Sequence, residues 1–221
     1  MIVTELSRGT KLFLLVGGKG TRISSVTNGL PKAMIDINGK RFIKHVIENL
    51  KGFDITLVCS DLNYHYFTGD LTLHGLGVDI FNEGEPSGTG GFLTKIDLPE
   101  SFYVMNGDTF YSGDINLDCD ESTIFVTEKL VSHDEGYVIG KDGKVKSFVE
   151  KSIFSRGEKQ LVNLGIYKFY KKDLNLPYPR LPLSMEYDIL TEMDLSYKVL
   201  NTHGFDIGTP ERLKVFEDWM C

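Results

Sequence analysis

The apolar run Leu12-Phe-Leu-Leu-Val16, followed at once by Gly17-Gly18-Lys19-Gly20-Thr21-Arg22, constrains this chain more than any other stretch. A continuous apolar run suits a strand covered on both faces, the form strands take in parallel sheets flanked by helices. Glycines at 17, 18 and 20 permit a backbone that approaches a ligand closely and aims several N–H groups at it. Arg22 and Lys32, the latter in Leu30-Pro31-Lys32, supply positive charge, so the pattern reads as a triphosphate cradle. A Walker loop is excluded because no Gly-x-x-x-x-Gly-Lys-Ser/Thr occurs, and the dinucleotide fingerprint would need a third glycine where Ile23 stands. Taken alone, Gly-Gly-x-Gly also suits an ordinary strand-to-helix turn.

At 221 residues, 41% hydrophobic, the chain supports one sizeable core and is short for two complete enzyme domains. Its net charge of −7, with dispersed Lys and Arg, argues against an extended nucleic-acid surface but leaves room for a local basic pocket around a small anion. Cys59, Cys119 and Cys221 are widely spaced, with no Cys-x-x-Cys pair, which fits a reducing compartment. No signal-like segment opens the chain and no run approaches the roughly 20 apolar residues of a membrane span. The expectation is a cytoplasmic protein without membrane or nucleic-acid partners.

Strand candidates at 12–16, 55–59, 77–81 and 102–106 alternate with helical stretches near 40–50, 61–71 and 88–97, the rhythm of a mostly parallel sheet flanked by helices. Ligands bind such sheets at the C-terminal ends of their strands, so the 17–22 loop and the Asn106-Gly-Asp-Thr109 turn are expected to face one pocket. From 122 onward the pattern turns to β, at 122–128, 136–140, 144–149 and 163–169, with Lys141-Asp-Gly-Lys144 a hairpin turn. The polar, basic stretch 152–160 reads as a mobile loop. Pro177, Pro179 and Pro182 mark an irregular connection before a helix near 184–194. Thr209-Pro210-Glu211 opens a last helix, to about Met220, with an N-cap and a first-turn proline. One domain is expected, with a nucleotide-binding half over about 1–120 and a sugar-binding half over about 121–221.

Gly17-Gly-Lys-Gly-Thr-Arg22, Leu30-Pro-Lys-Ala-Met34 and Ile37-Asn-Gly-Lys40 resemble the signature of the sugar-1-phosphate nucleotidyltransferases. Further matches follow in the family's order: Pro86-Ser-Gly-Thr-Gly-Gly91, Asn106-Gly-Asp-Thr109, Phe148-Val-Glu-Lys151, Asn163-Leu-Gly-Ile-Tyr167, Ser184-Met-Glu186 and Asp206-Ile-Gly-Thr-Pro210. The resemblance implies a single-domain α/β fold, Rossmann-like and related to the GT-A glycosyltransferases. It implies condensation of an NTP with a sugar 1-phosphate, with pyrophosphate leaving and Mg²⁺ as cofactor. The Gly-Thr-Gly-Gly form, the Ser184–Leu190 run and the short length are most similar to members that use GTP and a heptose 1-phosphate. Mannose, glucose and N-acetylmuramic acid 1-phosphates stay open as acceptors, and a homodimer stays open as the assembly.

By the same resemblance Arg22 and Lys32 carry the catalytic charge, and Val16, Gly17, Gly18, Gly20, Thr21, Gly88, Thr89, Gly90 and Gly91 meet the nucleotide. Asn106, Gly107, Glu150, Lys151, Asn163, Gly165 and Glu186 fall on the sugar-phosphate side. Magnesium prefers oxygen ligands and keeps several waters, so one or two carboxylates suffice, and Asp108 and Asp206 are the pair. Asp108 also suits an Asx turn, and Glu150-Lys151 an exposed charge pair. Asp118-Cys-Asp120 looks like the Asp-x-Asp metal motif of glycosyltransferases but lies in a polar stretch without a preceding strand, and is expected to be a solvated loop.

Three departures bear on the nucleotide: Val16 where the family usually has Ala, Lys19 in place of an apolar or small residue, and Ser87 where Leu is common. A non-catalytic nucleotide-sugar sensor is the rival of another class, and the presence of Arg22, Lys32 and Asp108 argues against it.

Overall fold

The computed structural model describes residues 9–18, 23–70, 73–113, 115–131, 135–149, 158–176 and 181–220. In chain order the elements are β1 (Thr10–Leu15), α1 (Ser24–Thr27), β2 (Asp36–Ile37), β3 (Lys40–Arg41), α2 (Phe42–Asn49), β4 (Phe53–Cys59), α3 (Tyr64–Thr68), β5 (Asp79–Asn82) and β6 (Ser101–Asn106). There follow β7 (Thr109–Ser112), β8 (Thr123–Leu130), β9 (Tyr137–Lys141), β10 (Lys144–Val149), β11 (Lys159–Tyr170), β12 (Ser196–Val199), β13 (His203–Asp206) and α4 (Pro210–Met220).

The main sheet runs β5-β4-β1-β6-β11-β8-β12-β10-β9. Its first four strands are parallel, as the alternation of strands and helices implies. From the antiparallel pairing of β11 with β6 onward the sheet is mixed, with β12 parallel to β8. β9 bonds to both β10 and β11, so the later strands curl back on themselves instead of leaving an open edge.

The continuous apolar run of β1 has a direct cause in the layers. Leu12 and Leu14 join a core shared with Phe42, Ile43, Tyr103 and Phe216, whereas Phe13 joins a second core with Phe92, Phe102 and Phe169 on the opposite face. Side chains alternate along a strand, so only a strand covered on both sides can make every position apolar. Phe13 meets Phe92 and Phe102 at centroid distances of 5.4 and 5.5 Å, within the range of favourable aromatic pairs. α4 lies on the first core through Leu213 and Phe216, and its entry is capped as expected: Thr209 Oγ1 accepts the Arg212 N–H at 3.3 Å.

Three local expectations change. The helix expected over 88–97 is a single 3₁₀ turn, Gly91–Thr94, because backbone groups of the preceding loop bond to residue 183 instead of continuing a helix. The helix expected over 184–194 is a π turn, Met185–Ile189, followed by a 3₁₀ turn, Leu190–Glu192, with the Ser184 hydroxyl accepting the Tyr187 N–H. Of the expected loop 152–160, Lys159 and Gln160 begin β11, paired with Leu130 and Lys129. Residues 152–157, with Pro177 and Pro179, lie outside the described residues. Among the described residues, no helix is long and apolar enough to cross a membrane.

Cys59 ends β4 fully buried, and burial pushes its thiol up to about 12. Alkylation at pH 8 followed by peptide mapping is expected to leave Cys59 unmodified in the folded protein and to label it once guanidinium is added. Rapid labelling of the native protein would show that the end of β4 opens on the timescale of the reagent.

Candidate active site

Because β1, β4, β5 and β6 run parallel, their C-terminal ends share one edge of the sheet, and the segments leaving that edge enclose a cavity of about 340 Å³. Leu15, Val16, Gly17 and Gly18 reach it from β1, Val58 from β4, Glu83 and Pro86 from β5, and Asn106 and Asp108 from β6. Gly88, Thr89 and Phe92 close one side, and Lys32 and Ala33 another. Gly17 and Gly18, the described part of the glycine loop, therefore share a pocket with Asn106 and Asp108 of the turn after β6. The Gly107 N–H donates to the Leu15 carbonyl at 2.9 Å, which ties the turn after β6 to the end of β1.

Lys32 opens a 3₁₀ turn whose next two residues, Ala33 and Met34, are buried, so the turn is anchored from below while its lysine faces the cavity. Its Nζ donates to Asp108 Oδ2 at 2.5 Å, with the two side chains 15% and 33% exposed. This ion pair is half-shielded, a setting in which opposite charges attract more strongly than at an open surface.

Asp206 is brought to the same neighbourhood by a small second sheet. β13 pairs antiparallel with β7, Asp206 stands opposite Thr109, and the Ile207 N–H donates to the Asp108 carbonyl at 3.2 Å. The Asp206 carboxylate accepts the Gly208 N–H at 2.6 Å and the Arg212 guanidinium. Asp108 and Asp206 are thus carboxylates on neighbouring segments, each compensated by a cation of the chain. Such a donor set suits a hard divalent cation that completes its shell with water and phosphate oxygens. Among the described residues, no three or more His, Cys, Asp or Glu gather as an all-protein metal cage.

A hydrogen-bonded row leads away from the cavity toward the second half of the chain. Asn163 Nδ2 donates to the Tyr167 hydroxyl at 2.9 Å, and that hydroxyl donates to Glu186 Oε1 at 3.3 Å. Glu186 Oε2 accepts from the Ser184 hydroxyl at 3.0 Å, and Thr89 Oγ1, which accepts the Met185 N–H at 2.8 Å, lies 3.5 Å from it. The register of β11 on β8 shifts between Asn163 and Ile166, and a bulge of this kind re-aims side chains beside it. Tyr111, buried, donates its hydroxyl to the Leu164 carbonyl inside the bulge, and burial pushes its phenol well above the ordinary range. Tyr167 is raised likewise, by burial first and then by the Glu186 charge, so it stays a donor at neutral pH.

Of the residues singled out from sequence, Val16, Gly17, Gly18, Lys32, Gly88, Thr89, Asn106 and Asp108 line the cavity. Gly90, Gly91, Gly107, Asn163, Gly165, Glu186 and Asp206 are joined to it through the contacts above and through Gly165, which packs against the Asn106 amide. Gly20, Thr21, Arg22, Glu150 and Lys151 lie outside the described residues. Asp118 and Asp120 are elsewhere, in a loop whose carbonyls at 117, 118 and 119 accept from Tyr103, Lys198 and Lys168. Glu83 and Phe92 line the cavity and were not singled out, and Tyr167 was quoted in a motif without a role. The rule of strand C-terminal ends applies to β5 as much as to β1 and β6, and would have found Glu83.

The sequence profile described as nucleotidyl transferase matches residues 11–213. A D-glycero-alpha-D-manno-heptose 1-phosphate guanylyltransferase of Campylobacter jejuni is 32% identical over 216 residues, covering 90% of this chain and 94% of that protein. One from Aneurinibacillus thermoaerophilus is 29% identical over 218 residues, covering 90% and 93%. Among solved structures, HddC from Yersinia pseudotuberculosis complexed with GMP-PN superposes with a TM-score of 0.78 at 29% identity, over 96% of this chain and 100% of that one.

Proposed function

This chain belongs to the nucleotidyl transferase family, and on that footing we propose that it transfers a guanylyl group from GTP to D-glycero-D-manno-heptose 1-phosphate, releasing pyrophosphate. The observation that carries the reading is the Lys32–Asp108 pair at a cavity bordered by the glycine loop, a cation and a carboxylate held where phosphates would pass. The guanylyltransferase relatives and the nucleotide complex of a neighbour support the choice of substrates.

An oxygen of the sugar phosphate attacks the α-phosphorus of GTP, the bond from that phosphorus to its β-bridging oxygen breaks, and pyrophosphate leaves with the electron pair. The acceptor already carries an anionic oxygen, so no covalent enzyme intermediate and no general base is required. The chain's contribution is to position two anions that repel each other and to neutralise charge as it shifts. Lys32 donates to phosphate oxygens once released from Asp108, and the N–H groups around Gly17 and Gly18 face the polyphosphate. Asp108 and Asp206 would hold magnesium, which when bound neutralises phosphate oxygens and the leaving group. In the sugar-facing half, Glu186 and Asn163 accept and donate to acceptor hydroxyls, with Tyr167 keeping both in register. By the resemblance, Arg22 would add charge on the nucleotide side, and Glu150 and Lys151 on the sugar side.

The test is a pyrophosphate-release screen that crosses four NTPs with a panel of sugar 1-phosphates. Turnover is expected only with both substrates present, highest for GTP with the heptose 1-phosphate, and abolished by chelation. A protein that turns over no pair yet binds a nucleotide sugar tightly would be a sensor instead.

A further inference from the structure

Ser60 leaves β4 at the same edge of the sheet as the glycine loop. It is fully buried, and its hydroxyl has no hydrogen-bond partner among the described residues. Buried polar side-chain atoms are as a rule paired, so this hydroxyl is an exception in the free protein. The Ser60 carbonyl, in contrast, is in use: it accepts the Asn63 N–H and the Tyr64 N–H, each at 2.9 Å, and so opens α3.

Asn63 is the second unusual residue of this turn. It stands at the N-cap of α3, where an asparagine side chain ordinarily accepts from the first N–H groups of its own helix, and here it makes no such bond. Only 7% exposed, it turns back and donates Nδ2 to the Gly18 carbonyl at 3.4 Å, longer than the roughly 2.7–3.2 Å of a well-made bond. Gly17 packs on the same turn, since a Cβ added to it would stand 3.6 Å from Cys59 Cα and from the Ser60 nitrogen. Gly17 and Gly18 line the cavity, whereas Ser60 and Asn63 do not, so the turn supports the glycine segment from outside the ligand space.

In a trans peptide unit the C=O and the N–H point to opposite sides. A bond on the Gly17 carbonyl from the turn therefore directs the Gly18 N–H, which shares its peptide unit, toward the cavity, and polarisation makes it a stronger donor. An anion on that N–H acts in reverse and strengthens the carbonyl as an acceptor.

We propose that Ser60 and Asn63 are the positioning residues of the glycine segment: with a nucleoside triphosphate bound, the Ser60 hydroxyl donates to the Gly17 carbonyl, the Asn63 amide closes on the Gly18 carbonyl, and the Gly18 N–H is aimed at a phosphate oxygen. The inference rests on the reading that this cavity takes an NTP, and names the residues beneath the loop that set its grip on the phosphates. Because the hydroxyl makes no bond in the free protein, its contribution belongs to the bound state alone.

The experiment compares the wild type, Ser60→Ala and Asn63→Ala by thermal denaturation of the free protein, by calorimetry with magnesium and α,β-methylene-GTP, whose guanylyl group cannot be transferred, by calorimetry with guanosine, and by KM for each substrate. A hydrogen bond between neutral groups that forms only in the complex corresponds to roughly a 3- to 10-fold effect. Ser60→Ala is expected to keep or raise the Tm of the free protein, to weaken the analogue by about that factor with the GTP KM rising alongside, and to leave guanosine binding and the acceptor KM at wild-type values. Asn63→Ala is expected to weaken the analogue similarly, with a small fall in Tm because its bond exists already. A lowered Tm in free Ser60→Ala would mean that the hydroxyl is bonded before the nucleotide arrives, and the inference falls. It falls equally if Ser60→Ala binds the analogue as the wild type does, or loses guanosine to the same extent, while guanylyl transfer stands. If the wild type binds neither analogue nor guanosine, it is the reading of the cavity as an NTP site that fails.

Discussion

Asp108→Asn is expected to lower kcat/KM for pyrophosphate release by roughly two orders of magnitude or more, with the fold intact. The substitution keeps size and hydrogen-bonding shape but removes the charge, and two decades correspond to about 2.7 kcal/mol of transition-state stabilisation. Asparagine can still accept from Lys32, and Asp108 is one-third exposed, so the loss should fall mainly on chemistry. The same change at Asp206 should act in the same direction. Its carboxylate also accepts the Gly208 N–H and the Arg212 guanidinium, so a modest fall in Tm accompanies the loss of activity there. Asp118→Asn should leave turnover nearly unchanged, because its loop lies apart from the cavity and is held through its carbonyls. Steady-state kinetics with circular dichroism on the three variants decides the assignment. Wild-type turnover in Asp108→Asn with collapse in Asp118→Asn would move the reaction to the other acidic cluster.

Gly88→Ala is expected to lower Tm by roughly 5–15 °C and to impair nucleotide use along with it. Gly88 has φ +84°, and an added Cβ would lie 2.2 Å from the Leu183 carbonyl oxygen and 2.8 Å from its carbon. The left-handed backbone costs an L-residue about 1–2 kcal/mol, and the clash is with backbone that cannot rotate away. Relief requires opening the clamp in which Leu183 donates to the Ser87 carbonyl and accepts the Gly90 N–H at 3.0 Å, each bond contributing about 0.5–1.5 kcal/mol. The total, about 2–5 kcal/mol, corresponds to the stated shift at about 2–4 °C per kcal/mol for a chain of this size. Gly77→Ala separates the two causes: its φ is +65° but nothing lies within 4 Å of the added Cβ, so it should show only the conformational part. Equal shifts for the two variants would mean that the Leu183 clamp adds nothing.

Much of this molecule follows from short stretches of chain. The all-apolar β1, the Asp142-Gly143 hairpin turn and the capped start of α4 are set within a few residues, by which backbone angles and faces those residues tolerate. That Gly17, Gly18 and the turn at Asp108 share a pocket was legible because segments leaving the C-terminal ends of parallel strands lie along one edge of the sheet. The stretch around 88–97 was not legible as a 3₁₀ turn, because what decides it is residue 183, which takes the hydrogen bonds a helix would have used. Nor could local pattern show that Ser87 orients Glu83, that Tyr167 joins Asn163 to Glu186, or that Lys32 meets Asp108 across 76 positions of sequence. Those contacts depend on β11 pairing with β6 and β13 with β7, long-range closures whose geometry no local propensity encodes. The sequence by itself determined the parallel first strands of the sheet, the glycines that follow β1 and the reaction class. Only the tertiary structure decided which buried side chains aim the site's charges, because aiming is done by neighbours distant in the chain.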